Sequence, residues 1–405
     1  MEYKRLDELQ IEIIDGDRGK NYPNGDDFKK DKYCLFLNAK NVTINGFNFS
    51  ETMFIDKDKD NILRKGKLKR DDIVLTTRGT VGNVAYYSSD ITYENVRINS
   101  GMVILRCDKN SILPEYLYYV LKSNFLQKQI NNIKSGSAQP QLPISTLKNL
   151  KINFLNIVLQ KKVIKILNEI DKKIKLNNQI NDNLHKLIKN IYSDTFINNK
   201  NTHWEKERLG NYLTVERGLS YKGKYLAESG TPMINLGNVM PDGVFRLEKN
   251  KYYTGEYKEK VTANVGDIVV ANTDMTQNRE VIGTPVIIPS LYEGKVIFSH
   301  HIYGLKNLKL PKMYVFYSLL TDEWNGIAGG SATGTTVLAL PKDAIEEYLI
   351  YIPDNATLDK FETLAENIQK KREQILLENI KLEQLRDTLL PKLMNEEIDL
   401  DKIEI

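Results

Sequence analysis

The chain has 405 residues, 41% of them hydrophobic, and a net charge of only +4, which allows two or three domains with sizeable cores. No run of about 18 apolar residues occurs and the charged start lacks the apolar stretch of a secretory signal, so neither a membrane partner nor export is expected. Two cysteines, Cys34 and Cys107, lack CxxC spacing and read as free thiols of a cytoplasmic protein; adjacent His300 and His301 do not suit one metal, so no metal or cofactor is expected.

Taken in chain order, the first half opens on a charged, Gly-bearing turn, Asp17-Arg18-Gly19-Lys20-Asn21-Tyr22. The basic run of Arg64, Lys65, Lys67, Lys69 and Arg70 reads as a solvated turn or a site of phosphate neutralisation. β-Branched stretches at 72–77 and 102–106 predict strands. Pro114 opens a helix. A Gly/Ser-rich loop at 135–141, a short strand at 150–155 and a long helix follow. The second half repeats the order: strands at 267–272 and 286–288, a helix opened by Pro311, a loop at 329–335, a strand at 348–352 and a second long helix, which Pro391 is expected to stop.

This repetition is a duplication. Leu37-Asn38-Ala39-Lys40-Asn41-Val42 reappears as Ile234-Asn235-Leu236-Gly237-Asn238-Val239, and Asp72-Ile73-Val74 as Asp267-Ile268-Val269. Gly136-Ser137-Ala138, Leu142-Pro143 and Arg5-Leu6 reappear in the same order as Gly330-Ser331-Ala332, Leu340-Pro341 and Arg208-Leu209, with all five offsets between 194 and 203. The organisation is therefore a domain over 1–155, a long helix in 156–200, a second domain over 201–355, and a long helix with its tail in 356–405. The fold class is α+β: two similar α/β domains separated by two long antiparallel helices, a pseudo-twofold tandem repeat.

Neither helical stretch contains an internal Gly or Pro, giving about nine uninterrupted turns each. Apolar residues recur at heptad spacing. In the first they are Val163, Ile170, Leu184 and Ile191 with Ile166, Ile180 and Leu187, interrupted by Lys173 and Asn177. In the second they are Phe361, Ile368, Ile375, Leu382 and Leu389 with Leu364 and Leu385, interrupted by Lys371 and Glu378. Two-row heptads argue for a coiled coil, and a polar Asn177 in one core row is a device that can fix register. Segment 156–200 holds 9 basic and 4 acidic residues and 356–405 holds 8 and 12, so the two attract and an intramolecular antiparallel pair is expected. A rod of about 50 Å follows from 1.5 Å per residue.

The sequence resembles the specificity subunit of type I restriction-modification systems. The likeness rests on Thr76-Thr77-Arg78-Gly79-Thr80-Val81-Gly82-Asn83, on Ser135-Gly136-Ser137-Ala138-Gln139-Pro140-Gln141-Leu142-Pro143-Ile144, on Ile166-Leu167-Asn168-Glu169-Ile170-Asp171-Lys172-Lys173-Ile174, and on Leu385-Arg386-Asp387-Thr388-Leu389-Leu390-Pro391-Lys392-Leu393-Met394. The resemblance implies two target-recognition domains, each reading half of a split site in double-stranded DNA. It also implies helices that space them and dock two modification subunits, which bind S-adenosylmethionine and methylate adenine, with restriction subunits that translocate and cleave. The second half departs from the motif, with Ala271-Asn272-Thr273-Asp274-Met275-Thr276-Gln277 in place of the Thr-Arg-Gly-Thr loop and Thr333-Gly334-Thr335-Thr336 in place of the Gln-Pro loop.

The candidate DNA contacts are polar residues in Gly-bearing loops, where backbone approaches a duplex closely and Arg, Asn and Gln match base edges. In the first half they are Arg18, Lys20, Tyr22, Thr77, Arg78, Thr80, Asn83, Ser135, Ser137, Gln139 and Gln141. In the second they are Tyr221, Lys222, Asn272, Thr273, Thr276, Gln277, Arg279, Ser331 and Thr333. No phosphate-binding GxxxxGK[ST] loop, methyltransferase motif, HExxH or GxSxG is present, so no catalytic residue is expected. Two other readings fit the residues less fully: a duplicated coiled-coil scaffold whose end domains bind proteins, and an enzyme with an unfamiliar site.

Overall fold

A computed structural model of the chain describes residues 2–133, 140–275, 279–334, 337–395 and 397–398. Contacts divide it into two units, Met1–Lys175 with Ile380–Ile405, and Leu176–Asn379.

The first unit is built on a four-stranded antiparallel sheet in the order Ile11–Asp15, Met102–Cys107, Ile73–Thr76, Val84–Tyr86. Its central strands are apolar without alternation because both faces are covered. Ile73, Leu75, Val103 and Leu105 face a cluster with helices Pro114–Lys122 and Asn124–Ile133, while Val74, Met102 and Ile104 face a second cluster with Leu35, Leu37 and Tyr87. That second cluster underlies a small sheet in which Cys34–Leu37 pairs in parallel with Val96–Ile98. Strand Glu2–Arg5 pairs with Lys151–Phe154 and closes the unit.

The second unit repeats this plan. Its four-stranded sheet runs Thr214–Arg217, Ile302–Lys306, Ile268–Ala271, Pro285–Ile287, and its small sheet has the matching parallel pair Thr231–Ile234 with Val296–Phe298. Lys206–Arg208 pairs with Leu349–Tyr351 as the first two edge segments pair in unit one. The α+β duplication is thus present in the four-stranded sheets, the parallel pairs and the closing strand pairs, while the small sheet has three strands in the first unit and five in the second. One expected loop is shorter than its composition implies: Gly329, Gly330 and Ser331 lie in helix Asp322–Ser331, where buried Trp324 and Ala328 anchor the turn that the glycines extend.

The central helix, Ile157–Tyr192, has 36 residues and the C-terminal helix, Asn355–Met394, has 40. Within each unit their segments contact each other in opposite senses. In the first, Val163 and Leu167 pack in one core with Leu390, Leu393 and Met394, and Arg386 Nη1 donates to Asp171 Oδ1 at 2.9 Å. In the second, Tyr192 meets Phe361 edge-on at 5.6 Å, and Asn177 Nδ2 donates to Asn379 Oδ1 and Glu378 Oε2, both at 2.9 Å.

The first heptad row lies in the contact: Val163, Ile170, Asn177, Phe361 and Ile375 are buried, and Leu184, Ile368 and Leu382 half-buried. The second row is displaced by one residue. Leu187, Leu364 and Leu385 are 48%, 41% and 47% exposed, Ile180 is 38% exposed, and Ile166 is half-buried. The row that turns inward is Leu167, Ile174, Asn181 and Ile188 on the central helix, and Ala365, Arg372, Asn379 and Arg386 on the C-terminal helix. Counting apolar residues finds the wrong row because three of these four C-terminal-helix residues are polar, with partners such as Asp171 for Arg386 and Asn177 for Asn379. The helix also runs through Pro391 to Met394. The proline removes one N–H in the last turn, where buried Leu393 and Met394 hold the backbone and the Asn153 side-chain amide donates to the Met394 carbonyl.

Candidate nucleic-acid interface

In the first unit, the register places Asp15, Thr76 and Met102 at one end of the main sheet. The loops leaving that end converge on residues 99–101. Gly16 passes so close to this turn that a Cβ would lie 2.1 Å from the Asn99 carbonyl oxygen. The Gly101 carbonyl accepts from both Thr77 N at 2.8 Å and Arg78 N at 3.1 Å. Arg18 Nη2 donates to the Ser100 carbonyl at 3.3 Å, and Tyr22 Oη accepts from Ser100 N at 3.4 Å. On the other side Leu142 N donates to the Thr77 carbonyl at 2.9 Å and Gly79 N to Pro140 at 3.3 Å, with Arg78 bridged to Gln141. Four segments distant in sequence, 16–22, 77–79, 99–101 and 140–142, thereby form one rim.

The rim is cationic. Lys20, Arg64 and Arg78 are exposed, and Arg18 is exposed beside Asp15, with which it makes a 3.1 Å ion pair. The Arg64 guanidinium lies over Gly19, where a Cβ would come within 2.6 Å of it. Asp17 organises the turn beneath: burial opposes its charge, but backbone N–H donors of Gly19, Arg64 and Lys65 hold its pKa below the usual value. Gly79 carries a positive φ of 73° with open space around it, so the loop tip is free to approach a partner.

The sequence candidates divide on this geometry. Arg18, Lys20, Arg78, Thr80 and Gln141 are exposed on the rim, and Tyr22 is half-buried with its ring edge-on to Phe36. Thr77 is buried and holds the rim through its backbone, so its side chain is not presented. Asn83 also faces inward, its side-chain amide donating to the Val42 carbonyl at 2.9 Å. Ser135, Ser137 and Gln139 lie outside the described residues. Of the basic run, Arg64 joins the rim, while Lys67 pairs with buried Asp60 and Arg70 covers the Tyr87 ring at 4.3 Å. Sequence reasoning named Arg64 only as one of a basic run and passed over the 99–101 turn, because only the fold brings them beside Gly16 and Gly19.

The second unit builds the same rim on other side chains. Gly218 approaches the Ser299 carbonyl to 2.1 Å from its notional Cβ, as Gly16 approaches Asn99. Asn272 N donates to the His301 carbonyl at 3.0 Å and Leu340 N to the Asn272 carbonyl at 2.8 Å, repeating the bonds of Thr77. Asn272 is buried, and its amide donates to the His300 carbonyl at 3.1 Å, so this candidate is a structural pin. Thr273 is buried too, with Oγ1 3.0 Å from His301 Nδ1. The rings of His300 and His301 are 3.9 Å apart, and Tyr221 stands 5.8 Å from His300 with Lys251 over its ring. Lys222 and Arg217 are exposed. Arg279, at a φ of 57°, is held by a 2.6 Å bond from Nη1 to the Gly329 carbonyl. Ser331 ends its helix half-buried, and exposed Thr333 bridges to Ala339. Thr276 and Gln277 lie outside the described residues.

Among the described residues, no group of His, Cys, Asp and Glu is placed to hold a metal, and no helix is long and apolar enough to cross a membrane.

This duplicated arrangement defines a class, a pair of like recognition folds each joined to a long helix, and known proteins of that class match the chain. A family model described as "Type I restriction modification DNA specificity domain" matches residues 1–186. The MjaIX specificity subunit of Methanocaldococcus jannaschii is 26% identical over 385 residues, covering 87% of this chain and 85% of its own. The HindI specificity subunit of Haemophilus influenzae is 22% identical, covering 95% and 98%. The crystal structure of a type I system S subunit from M. genitalium shares the fold with a TM-score of 0.50 at 16% identity, covering 97% of this chain and 95% of that one. The chain is thus similar along most of its length to specificity subunits of type I restriction-modification systems, and its residues 1–186 match the DNA specificity domain of that family.

Proposed function

We propose that the chain reads a bipartite, asymmetric site in double-stranded DNA, one half-site per recognition domain. Residues 1–155 form the first reader and 201–355 the second; the helices of 156–200 and 356–405 space them and dock partner subunits. The observation that carries this reading is the pair of rims: the same glycine approach and the same two backbone bonds, at 77 and at 272, support different side chains. Equal scaffolds with unequal lips suit two different half-sites. The exposed cations of each rim suit phosphate, and Arg78 and Gln141 suit base edges.

The outer faces of the helices, where Leu187, Leu364 and Leu385 are exposed, are the surface we assign to two modification subunits, which supply methyl transfer, with restriction subunits joining them. The chain itself acts without catalysis or cofactor. A helix of 36 residues is about 54 Å long at 1.5 Å per residue. At about 3.4 Å per base pair, this length gives half-site centres on the order of 15 base pairs apart.

The test is methylated-site sequencing of cells expressing the chain and a variant with one heptad added at the same level of both helices. The variant's preferred spacer should grow by roughly three base pairs, since seven residues add about 10 Å, unless DNA bending absorbs it. A continuous site, or a palindrome read by one domain, refutes the two-reader proposal. Methyl transfer by the purified chain alone refutes the non-catalytic role.

A further inference from the structure

We infer that His301 is a specificity-determining residue of the second recognition domain, reading one base-edge group of its half-site, with Thr273 as its positioning residue. This rests on the reading of the rims as DNA-facing and deepens it.

The inference begins from backbone equivalence. The carbonyl that accepts from Thr77 N belongs to Gly101, and the one that accepts from Asn272 N belongs to His301. The glycine that presses on the preceding turn is Gly16 in one unit and Gly218 in the other. Residues 99–101 and 299–301 therefore occupy the same place in the two rims. At that place the first domain has no side chain and the second has an imidazole. Scaffolding cannot explain the imidazole, because the first rim forms the same bonds with glycine.

The ring is also held and tuned. Thr273 Oγ1 lies 3.0 Å from Nδ1, and Thr273 itself is 5% exposed within a strand pairing with Leu338–Ala339. The His300 ring lies against His301 at 3.9 Å, with Tyr221 beyond it. A held ring loses little conformational freedom when a partner binds. Burial, with the charges of His300, Arg217 and Lys251 added, lowers the His301 pKa from its ordinary value, which favours the neutral ring. A neutral imidazole offers one donor and one acceptor. With Nδ1 engaged by Thr273, Nε2 is the ring's other polar atom. A single neutral polar atom suits a base edge, while the neighbouring Arg217 and Lys222 suit phosphates.

The experiment uses the full chain assembled with its modification partners, acting on a randomised double-stranded DNA library whose methylated members are sequenced. His301→Gly should relax preference at one or two positions of one half-site by on the order of 10-fold. The other half-site should stay unchanged. Thr273→Val should relax the same positions and Thr273→Ser should retain them. Unchanged preference in a folded His301→Gly protein overturns the inference. Should His301→Gly fail to fold, identical behaviour of Thr273→Val and Thr273→Ser overturns it. The reading beneath is tested separately by Arg217→Ala and Lys222→Ala. If these weaken binding to random duplex while His301→Gly changes no preference, the inference fails and the DNA-facing rim stands. If none of the three alters binding or preference, the rim reading fails as well.

Discussion

Replacing Asn177 by Leu tests whether the helix contact is held by specific polar partners. Asn177 is 2% exposed, and its amide donates two hydrogen bonds, to Glu378 and Asn379. Asn379, 7% exposed, in turn donates to Asn178 Oδ1 at 2.8 Å. Leucine removes both donations and leaves the Asn379 oxygen facing an apolar group. A buried acceptor so orphaned costs about 1–3 kcal/mol. Replacing Asn379 by Leu as well removes the orphan, and the double variant should recover most of that loss, a coupling of about 1–2 kcal/mol. Urea unfolding followed by tryptophan fluorescence suits the measurement, because the chain's two tryptophans, Trp204 and Trp324, both lie in the unit that contains this pair. The double variant should also lose uniqueness of register, as apolar replacements of a buried Asn do, and so methylate sites with mixed spacers. Wild-type stability in Asn177→Leu, or strictly additive losses in the double variant, would refute the reasoning.

Arg78→Ala should weaken binding to target DNA by about 1–3 kcal/mol relative to random DNA if the guanidinium reads a base; competition binding measures this, and equal loss on both identifies a phosphate contact instead. Ile170→Pro should cost about 3 kcal/mol or more and abolish assembly with modification subunits while the second domain keeps its fluorescence; retained assembly removes the spacer role. His185 is 7% exposed, and burial, with Arg372 and Lys189 nearby, pushes its pKa down to about 4. The unfolded chain, with a histidine near 6.5, then binds the proton more readily. Its neutral form is compatible with folding above pH 6.5, and stability falls as pH drops from there towards 4, by about 1.4 kcal/mol per unit. Urea midpoints at pH 7 and 5 should therefore converge in His185→Leu, and an unchanged pH slope would show that other groups carry the dependence.

Much of the fold is legible in the sequence because duplication writes each element twice. A strand such as Ile73–Thr76 is confirmed by Ile268–Ala271. The long helices are legible from unbroken heptads. The inner rows are only half legible, since Arg372, Asn379 and Arg386 look like surface residues until Asn177 and Asp171 are set against them. Leu364 and Leu385 look like core until the helix turns them outward. The rims are legible as Gly-bearing polar loops, but which residues in them are presented is not. Thr77 and Asn272 sit in the expected motifs yet face inward, because the chain uses their backbones to tie three loops together. Arg64 and His301 show the reverse effect: locally one is a member of a basic run and the other of a histidine pair unsuited to a metal, and only contacts across tens of residues bring them to the lip.

The first unit draws part of its core from the far end of the chain. Asn153 bonds to the Met394 carbonyl across 241 residues, and Leu390 and Leu393 fill the cluster around Val163 and Leu167. During synthesis the first recognition domain therefore waits, with an open apolar face, until the second has been translated. A ribosome that stops early releases a chain in which that face stays uncovered, available to chaperones and proteases, rather than a finished half-subunit. The interlacing of the chain acts as a proof of completeness: the domain made first is the one sealed last.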